Sequence, residues 1–378
     1  MNTIDSNSVD QAFQEALAQG VFPGAVLLVG RGEEVIYEQA FGSSSLLPDK
    51  IPMRSSTIFD IASLTKPLAT TTAMMMLVDE KKIRLDDQVT RFVPTFGVFG
   101  KSLTTLRQLL SHSSGLPAWK PYYEEVVMGE KSGKINFVAS RAATCYVLEQ
   151  IHREKPLSPP GIQALYSDLG FMILGEIIET VSGSKLDRFC QDRVFSPLEL
   201  RSTAFTDLTQ PQTQRIGSEK AMIAPTENCP WRKRILCGEV HDDNAYAMGG
   251  VAGHAGLFSS ARDIHRIVTR LSRCLRGADP FLPQSLVQEF LTKDKFVAGS
   301  THALGWDTPS PDQSASGRLF SANTVGHLGF TGTSLWWDLE RNCHIILLSN
   351  RVHPTRKNEK IKRFRPAIHD LIMQSLNP

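Results

Sequence analysis

The chain has 378 residues, with 41 Lys and Arg against 39 Asp and Glu, giving a net charge of +2. Apolar residues make up 41% and charged residues 21%, an ordinary globular mixture long enough to bury a sizeable core. The charge balance gives no basis for a nucleic-acid partner, and no apolar run approaches the roughly 20 residues of a membrane-spanning helix.

The first twenty residues, MNTIDSNSVDQAFQEALAQG, have no basic start, apolar core or small-residue cleavage site, so no secretory signal is expected. Six cysteines, none in a Cys-x-x-Cys pair, then read as reduced thiols of a cytoplasmic protein. Residues 9–19 place Val9, Phe13, Ala16 and Leu17 on one stripe, the pattern of an amphipathic helix. GAVLLVG and EVIYEQAFG, split by RGE, read as a β-hairpin. A helix is expected from about Ser63 to Lys82, with Pro67 in its first turn, where a missing N–H costs little. Residues 100–200 are mostly helical in pattern, with the Pro-rich HREKPLSPPG as a surface loop. Residues 205–255 show little periodicity. A helix follows SSARDIHRIVTRL. GHLGFTGTSLWWDLERNCHIILLSNR reads as two strands joined at LERN, and a last helix ends the chain.

This order suggests an α+β fold, in which strands from both ends form one antiparallel sheet flanked by helices. The expected division is 1–95 plus 245–378 for the sheet part, with 96–244 inserted as a mainly helical region. A cleft between two such parts is a usual place for a site.

The chemistry starts from Ser63 and Lys66. Residues three apart on a helix lie about 5–6 Å apart at Cβ, so the lysine nitrogen reaches the serine hydroxyl. A helix start also favours a developing oxyanion, and a serine needs an activating neighbour to be a nucleophile. Taken alone, the pair favours the plainer reading of an N-cap serine and a solvated lysine, and Ser182 and Lys185 repeat the spacing. Three further stretches decide between these: YSDLG at Tyr166–Gly170, HLGFTG at His327–Gly332, and LLSHSSGLP at Leu109–Pro117. In this order the sequence resembles the serine β-lactamase and penicillin-binding-protein superfamily over about residues 10–375, most of all the branch of class C β-lactamases and their esterase and D-peptidase relatives.

The resemblance implies a β-lactamase/transpeptidase-like fold and an acyl-enzyme on Ser63. Lys66 and Tyr166 would share the proton work, and His327 would stand in the third motif. The N–H groups of Ser63 and Phe330 would form the oxyanion hole, and Asp168, Gly329 and Asn350 would meet the substrate. Asn350 corresponds to a position that meets the substrate carboxylate in class C enzymes. Two departures matter. His327 replaces a lysine, and with an ordinary pKa near 6.5 it is mostly uncharged at neutral pH. Asp168 replaces an asparagine and would hold Lys66 charged. A cationic Lys66 would then lower the pKa of Tyr166 and make the tyrosine the proton acceptor.

The leading expectation is a serine hydrolase of small carboxylic esters or amides. The alternative is a β-lactamase or D-Ala-type carboxypeptidase or aminopeptidase, and a third reading is a non-catalytic binding protein on the same fold. Covalent labelling of Ser63 separates the third from the others. No cofactor is expected. Glu227, His241, Asp242, Asp243, Asn244 and His254 share one irregular stretch, but their spacing fits no familiar metal set. That stretch reads as a cleft-lining segment that sets specificity. His112 reads as a structural hydrogen-bonding residue beneath the site. Arg351 and Arg356 read as strand-end and surface charge, and RKNEKIKRFR, Arg356 to Arg365, as a solvated helix face.

Overall fold

The computed structural model describes residues 4–133, 136–210 and 222–376. Helix α1 (Ser6–Ala18) leads into the hairpin β1 (Gly24–Arg31) and β2 (Glu34–Ser45), followed by the short β3 (Ile51–Pro52). Near the C-terminus, β4 (Thr324–Leu328), β5 (Ser334–Asp338) and β6 (Cys343–Ser349) lead into the last helix, α2 (Ile361–Leu376). The six strands form one antiparallel sheet in the order β3-β2-β1-β6-β5-β4. Its central pair is therefore the first strand against the last.

Alternation along β1 sets the two faces. Ala25, Leu27 and Val29 pack with Cys343, Ile345 and Leu347 beneath α1 and α2. Val26 and Leu28 point the other way, with Ile346 and Leu348, into the larger core shared with the helical region. Both faces are buried, so a one-residue slip would exchange two differently shaped cores. No helix among the described residues is long and apolar enough to cross a membrane.

The expected helix from Ser63 to Lys82 is a composite. Ala62–Leu64 form a 3-10 turn, Lys66–Thr71 a π-helical segment, and only Thr72–Asp79 an α-helix. Pro67 brings no N–H to the first turn, and the Thr72 hydroxyl donates to the Pro67 carbonyl at 3.2 Å. The wider turn still leaves Lys66 facing back toward Ser63.

Candidate active site

Three segments converge on one end of β4. The first carries Ser63. Its predecessor Ala62 has φ +48, a left-handed conformation costly for a residue with a Cβ. Asp60 holds this turn: its carboxylate accepts from the N–H of Ala62 at 2.9 Å and of His241 at 2.6 Å. Burial raises the Asp60 pKa, and the two N–H donors offset this only in part. The second segment is the start of the helix Asp168–Ser182, capped by Ser167. His112, buried and at φ +57, accepts from the Ser167 N–H at 3.0 Å and packs its ring 4.6 Å from that of Tyr166. The third is the β4–β5 turn. Thr331 and Thr333 donate to the carbonyls of Asp60 and Ile61 at 2.7 and 3.1 Å, which fastens the turn to the strand leading into Ser63.

At their meeting point Lys66 is fully buried. Its Nζ donates to Ser63 Oγ at 3.0 Å, to Asp168 Oδ1 at 2.6 Å and to the His254 carbonyl at 3.1 Å. Burial works against the charge, but Asp168 and Tyr166 outweigh it, and the lysine pKa stands above its ordinary value. Tyr166 departs from the sequence expectation. Burial pushes its hydroxyl up to about 12; Lys66 pulls it down as expected, but Asp168 opposes that pull. Tyr166 is therefore a phenol at neutral pH.

His327 is buried, with Nδ1 2.9 Å from the Leu328 carbonyl. A carbonyl only accepts, so Nδ1 carries the hydrogen and Nε2 of the neutral ring is a bare acceptor. Among the described residues Nε2 has no hydrogen-bond partner, and the His327 ring centroid lies 5.7 Å from that of Tyr166. Burial lowers the His327 pKa, Asp307 raises it and Lys66 lowers it, and the net shift is downward. Asp307 itself is held low despite its burial by His327 and His302, and its Oδ1 lies 3.0 Å from His302 Nδ1.

Ser63, Tyr166, Asp168, His327, Gly329 and Phe330 all line one cleft of about 870 Å³. Among the described residues, no hydrogen bond uses the N–H of Ser63 or of Phe330. The Phe330 ring lies between the stacked His241 ring at 5.6 Å and the Arg351 guanidinium at 4.6 Å. His241, Asp242, Asp243 and Ala255 of the irregular stretch also line the cleft. No group of three or more metal-ligating side chains forms among the described residues. The second Ser-x-x-Lys match goes elsewhere: Ser182 donates to the Ile178 carbonyl, and Lys185 pairs with Asp207.

Asn350 is not in the cleft. Its Oδ1 accepts from the Gly24 N–H at 3.0 Å, and its Nδ2 donates to the carbonyls of Ser43 and Ser44 at 3.2 and 2.7 Å. The amide is spent on holding the start of β1 to β2, so the expected carboxylate contact is corrected to a structural one. The basic run 356–365 is also not uniformly solvated. Arg356 pairs with Glu227 and Asp243, and Arg365 is buried against the β4–β5 turn. His241 was reached through the irregular stretch, but Asp60, His302, Asp307 and Arg365 carried no motif in the sequence. The only available hint was a polar residue in an otherwise apolar surrounding, as with Asp60 in IFDIA.

A family model described as Beta-lactamase matches residues 9–368. The chain belongs to the beta-lactamase family. Members of this family are serine hydrolases acting on small molecules. An N-acetylmuramyl-L-alanine amidase of Bacillus subtilis (strain 168) is 34% identical over 372 residues, 91% of this chain and 80% of the relative. An Escherichia coli (strain K12) protein provisionally named D-alanyl-D-alanine carboxypeptidase is 32% identical over 373 residues, 92% of this chain and 82% of the relative. Among solved structures, the hydrolase EstCE1, described as having promiscuous acyltransferase activity, matches with TM-score 0.74 at 23% identity, covering 97% of this chain and 98% of its own. The octameric penicillin-binding protein homologue of Pyrococcus abyssi matches with TM-score 0.71 at 21% identity, covering 99% and 77%. The two structural likenesses establish the beta-lactamase fold.

Proposed function

We propose that this beta-lactamase family member hydrolyses a small carboxylic amide through an acyl-enzyme on Ser63, and accepts simple esters as activated substrates. The observation that carries the reading is Ser63 Oγ held 3.0 Å from the Lys66 ammonium beside two unused backbone donors. The amide is favoured by the names of the relatives at 32–34% identity. The ester reading is favoured by His327: a neutral ring offers a substrate carboxylate less attraction than the lysine it replaces, and simple esters carry no carboxylate.

In this mechanism Ser63 Oγ attacks the scissile carbonyl carbon. Lys66 stays an ammonium, because Asp168 and Tyr166 hold its proton. Tyr166 cannot wait as a phenolate, since a pKa of about 12 places that form roughly 7 kcal/mol uphill at pH 7, at ~1.36 per unit. Instead the serine proton moves to the Tyr166 oxygen as the tyrosine proton moves to His327 Nε2, and no free phenolate forms. The N–H groups of Ser63 and Phe330 receive the oxyanion, where preorganised donors are worth most. The proton returns through Tyr166 to the leaving nitrogen as the C–N bond breaks. Water then attacks the acyl ester by the same relay.

The test is intact-protein mass and turnover with p-nitrophenyl butyrate and, separately, a penicillin. The expected result is rapid ester turnover and a transient acyl adduct mapped to Ser63, both lost in Ser63→Ala. Turnover that survives in Ser63→Ala, or no labelling of Ser63 by a serine-directed phosphonate, would sink the proposal. A stable penicillin adduct on Ser63 would instead move the reading to the peptidase or lactamase alternative.

A further inference from the structure

The turn before Ser63 is held at both of its ends. The Ala62 N–H donates to Asp60 Oδ1 at 2.9 Å, and the Ala62 carbonyl accepts from Thr65 Oγ1 at 2.6 Å. Thr65 Oγ1 in turn accepts from the Leu257 N–H at 3.1 Å. Ala62 is thereby kept at φ +48, a conformation an alanine adopts only where its surroundings impose it. Ser63 follows directly, so these bonds set the direction of its Oγ and of its N–H.

The second Asp60 oxygen leads out of the turn. Oδ2 accepts from the His241 N–H at 2.6 Å, and the His241 ring is the one stacked 5.6 Å from Phe330. Arg232 grips the same segment from its other side. Its Nη1 donates to the Val240 carbonyl at 2.7 Å, and its Nη2 to the His241 carbonyl at 3.0 Å and to Asp243 Oδ1 at 2.9 Å. The guanidinium is buried and lies 3.9 Å from the centre of the Tyr246 ring. Ala62, Ser63, His241 and Phe330 line the cleft, while Asp60 and Arg232 stand behind its wall.

Two N–H donors from different segments, meeting the two oxygens of one side chain, call for an acceptor at each end. A carboxylate supplies both; a carboxamide has one oxygen and one NH₂ and supplies one. Asp60 is 2% exposed, and no Lys or Arg pairs with it among the described residues, so its charge is kept against the cost of burial. The plain alternative is a tie between two loops. A tie alone explains neither a buried carboxylate nor its use on the strained residue next to the nucleophile.

We propose that Asp60 and Arg232 are positioning residues for the Ser63 reaction: Arg232 fixes the segment 240–243, and Asp60 passes that position on to Ala62 and so to Ser63, in register with the Phe330 N–H. The proposal rests on the acyl-enzyme reading of this cleft and adds to it two residues that touch no reacting atom. The segment 240–243 thus sets the approach of the nucleophile as well as the shape of the cleft mouth.

The test is stopped-flow acylation of the full chain by p-nitrophenyl butyrate at a series of ester concentrations, which separates the acylation rate constant from substrate binding. Asp60→Asn should lower the rate constant roughly 10- to 100-fold, the scale of a misplacement of about 1 Å, with the substrate dissociation constant within about threefold of wild type. Arg232→Lys keeps the charge and loses the two-nitrogen grip, and should lower the rate constant about fivefold. The double variant should lose much less than the product of the two, because both act along one path. Adding Ala62→Gly, which holds a positive φ without strain, should win back about fivefold in the Asp60→Asn chain. Losses that multiply, or no gain from Ala62→Gly, would show two residues that only support the fold, and would overturn the proposal. If Asp60→Asn does not fold, Arg232→Lys with and without Ala62→Gly decides in the same way. Failure of the hydrolase reading shows separately, as absence of Ser63 acylation by the ester in the wild type.

Discussion

His327 Nε2 is an acceptor with no partner among the described residues, on a ring 5.7 Å from that of Tyr166, and its protonation state should govern the rate. Burial holds its pKa below 6.5. The neutral form is therefore the working form at pH 7 and remains so as the pH falls to the ordinary histidine value. We expect kcat/KM for an uncharged ester to be flat from pH 8 to 6.5 and to fall only below 6.5. His327→Gln, which cannot take the proton, should lower kcat by about 10²–10⁴, the usual range for a lost general base, and abolish the acid limb. An acid limb centred above 7, or one that persists in His327→Gln, would remove His327 from the relay. Ser63, Lys66, Tyr166, Asp168 and His327 were legible in the sequence because each lies in a short ordered motif. The spacing could not show that Asp168 also opposes Lys66 at Tyr166, nor that Asp307 and His302 stand behind His327. Those effects depend on how side chains near and far in the sequence are placed against one another, as with Lys66 and Asp168, 102 residues apart, at distances only the fold sets.

Among the elements, the β4–β5 turn sets how far Phe330 stands from Ser63, and Gly329 sets how closely the turn can approach. A Cβ there would lie 1.9 Å from Thr333 Oγ1 and 2.6 Å from the Ile61 carbonyl. The hydroxyl can rotate away, but the carbonyl belongs to the backbone just ahead of Ser63. Gly329→Ala must therefore push the turn off that segment and carry the Phe330 N–H with it. Loss of one oxyanion donor typically costs 10²–10³ in kcat. We expect that loss in kcat with KM changed much less, and a folded protein by circular dichroism. A kcat within threefold of wild type would mean that the Phe330 N–H is not a donor to the oxyanion. The hairpin β1–β2 and the β5–β6 pair were readable from alternation in GAVLLVG and from LERN. The composite start of the Ser63 segment was not, because Pro67 is as compatible with the first turn of an α-helix as with a π segment. Asn350 was misread for a related reason. A residue at a strand end faces either the cleft or the neighbouring strand, and the open N–H of Gly24 and carbonyls of Ser43 and Ser44 captured it.

At the scale of the whole molecule, one ionic network joins the irregular stretch to the segment between β6 and α2. Arg356 reaches Glu227 Oε2 and Asp243 Oδ2, and Arg232 reaches Asp243 Oδ1 at 2.9 Å. These links hold His241 and its neighbours against the mouth of the cleft. Burial works against the Glu227 charge, yet His241, with Nε2 3.4 Å away, and the hydrogen-bonded Arg356 bring its pKa down from 4.5 to about 2. A carboxylate depressed in the folded state contributes stability that is present above its unfolded pKa and is lost as the pH falls through the folded value. The window is thus pH 4.5 down to about 2, and the contribution at pH 7 is on the order of 3 kcal/mol. Urea unfolding at a series of pH values should show wild-type stability dropping steeply across that window. Glu227→Gln should be less stable than wild type at pH 7, and the gap should close as the pH approaches 2, because the wild-type carboxyl is then protonated as well. A gap that stays constant from pH 6 to 2.5 would mean that Glu227 stabilises by packing rather than by charge. The cleft wall formed by His241 would then owe its position to something other than this network.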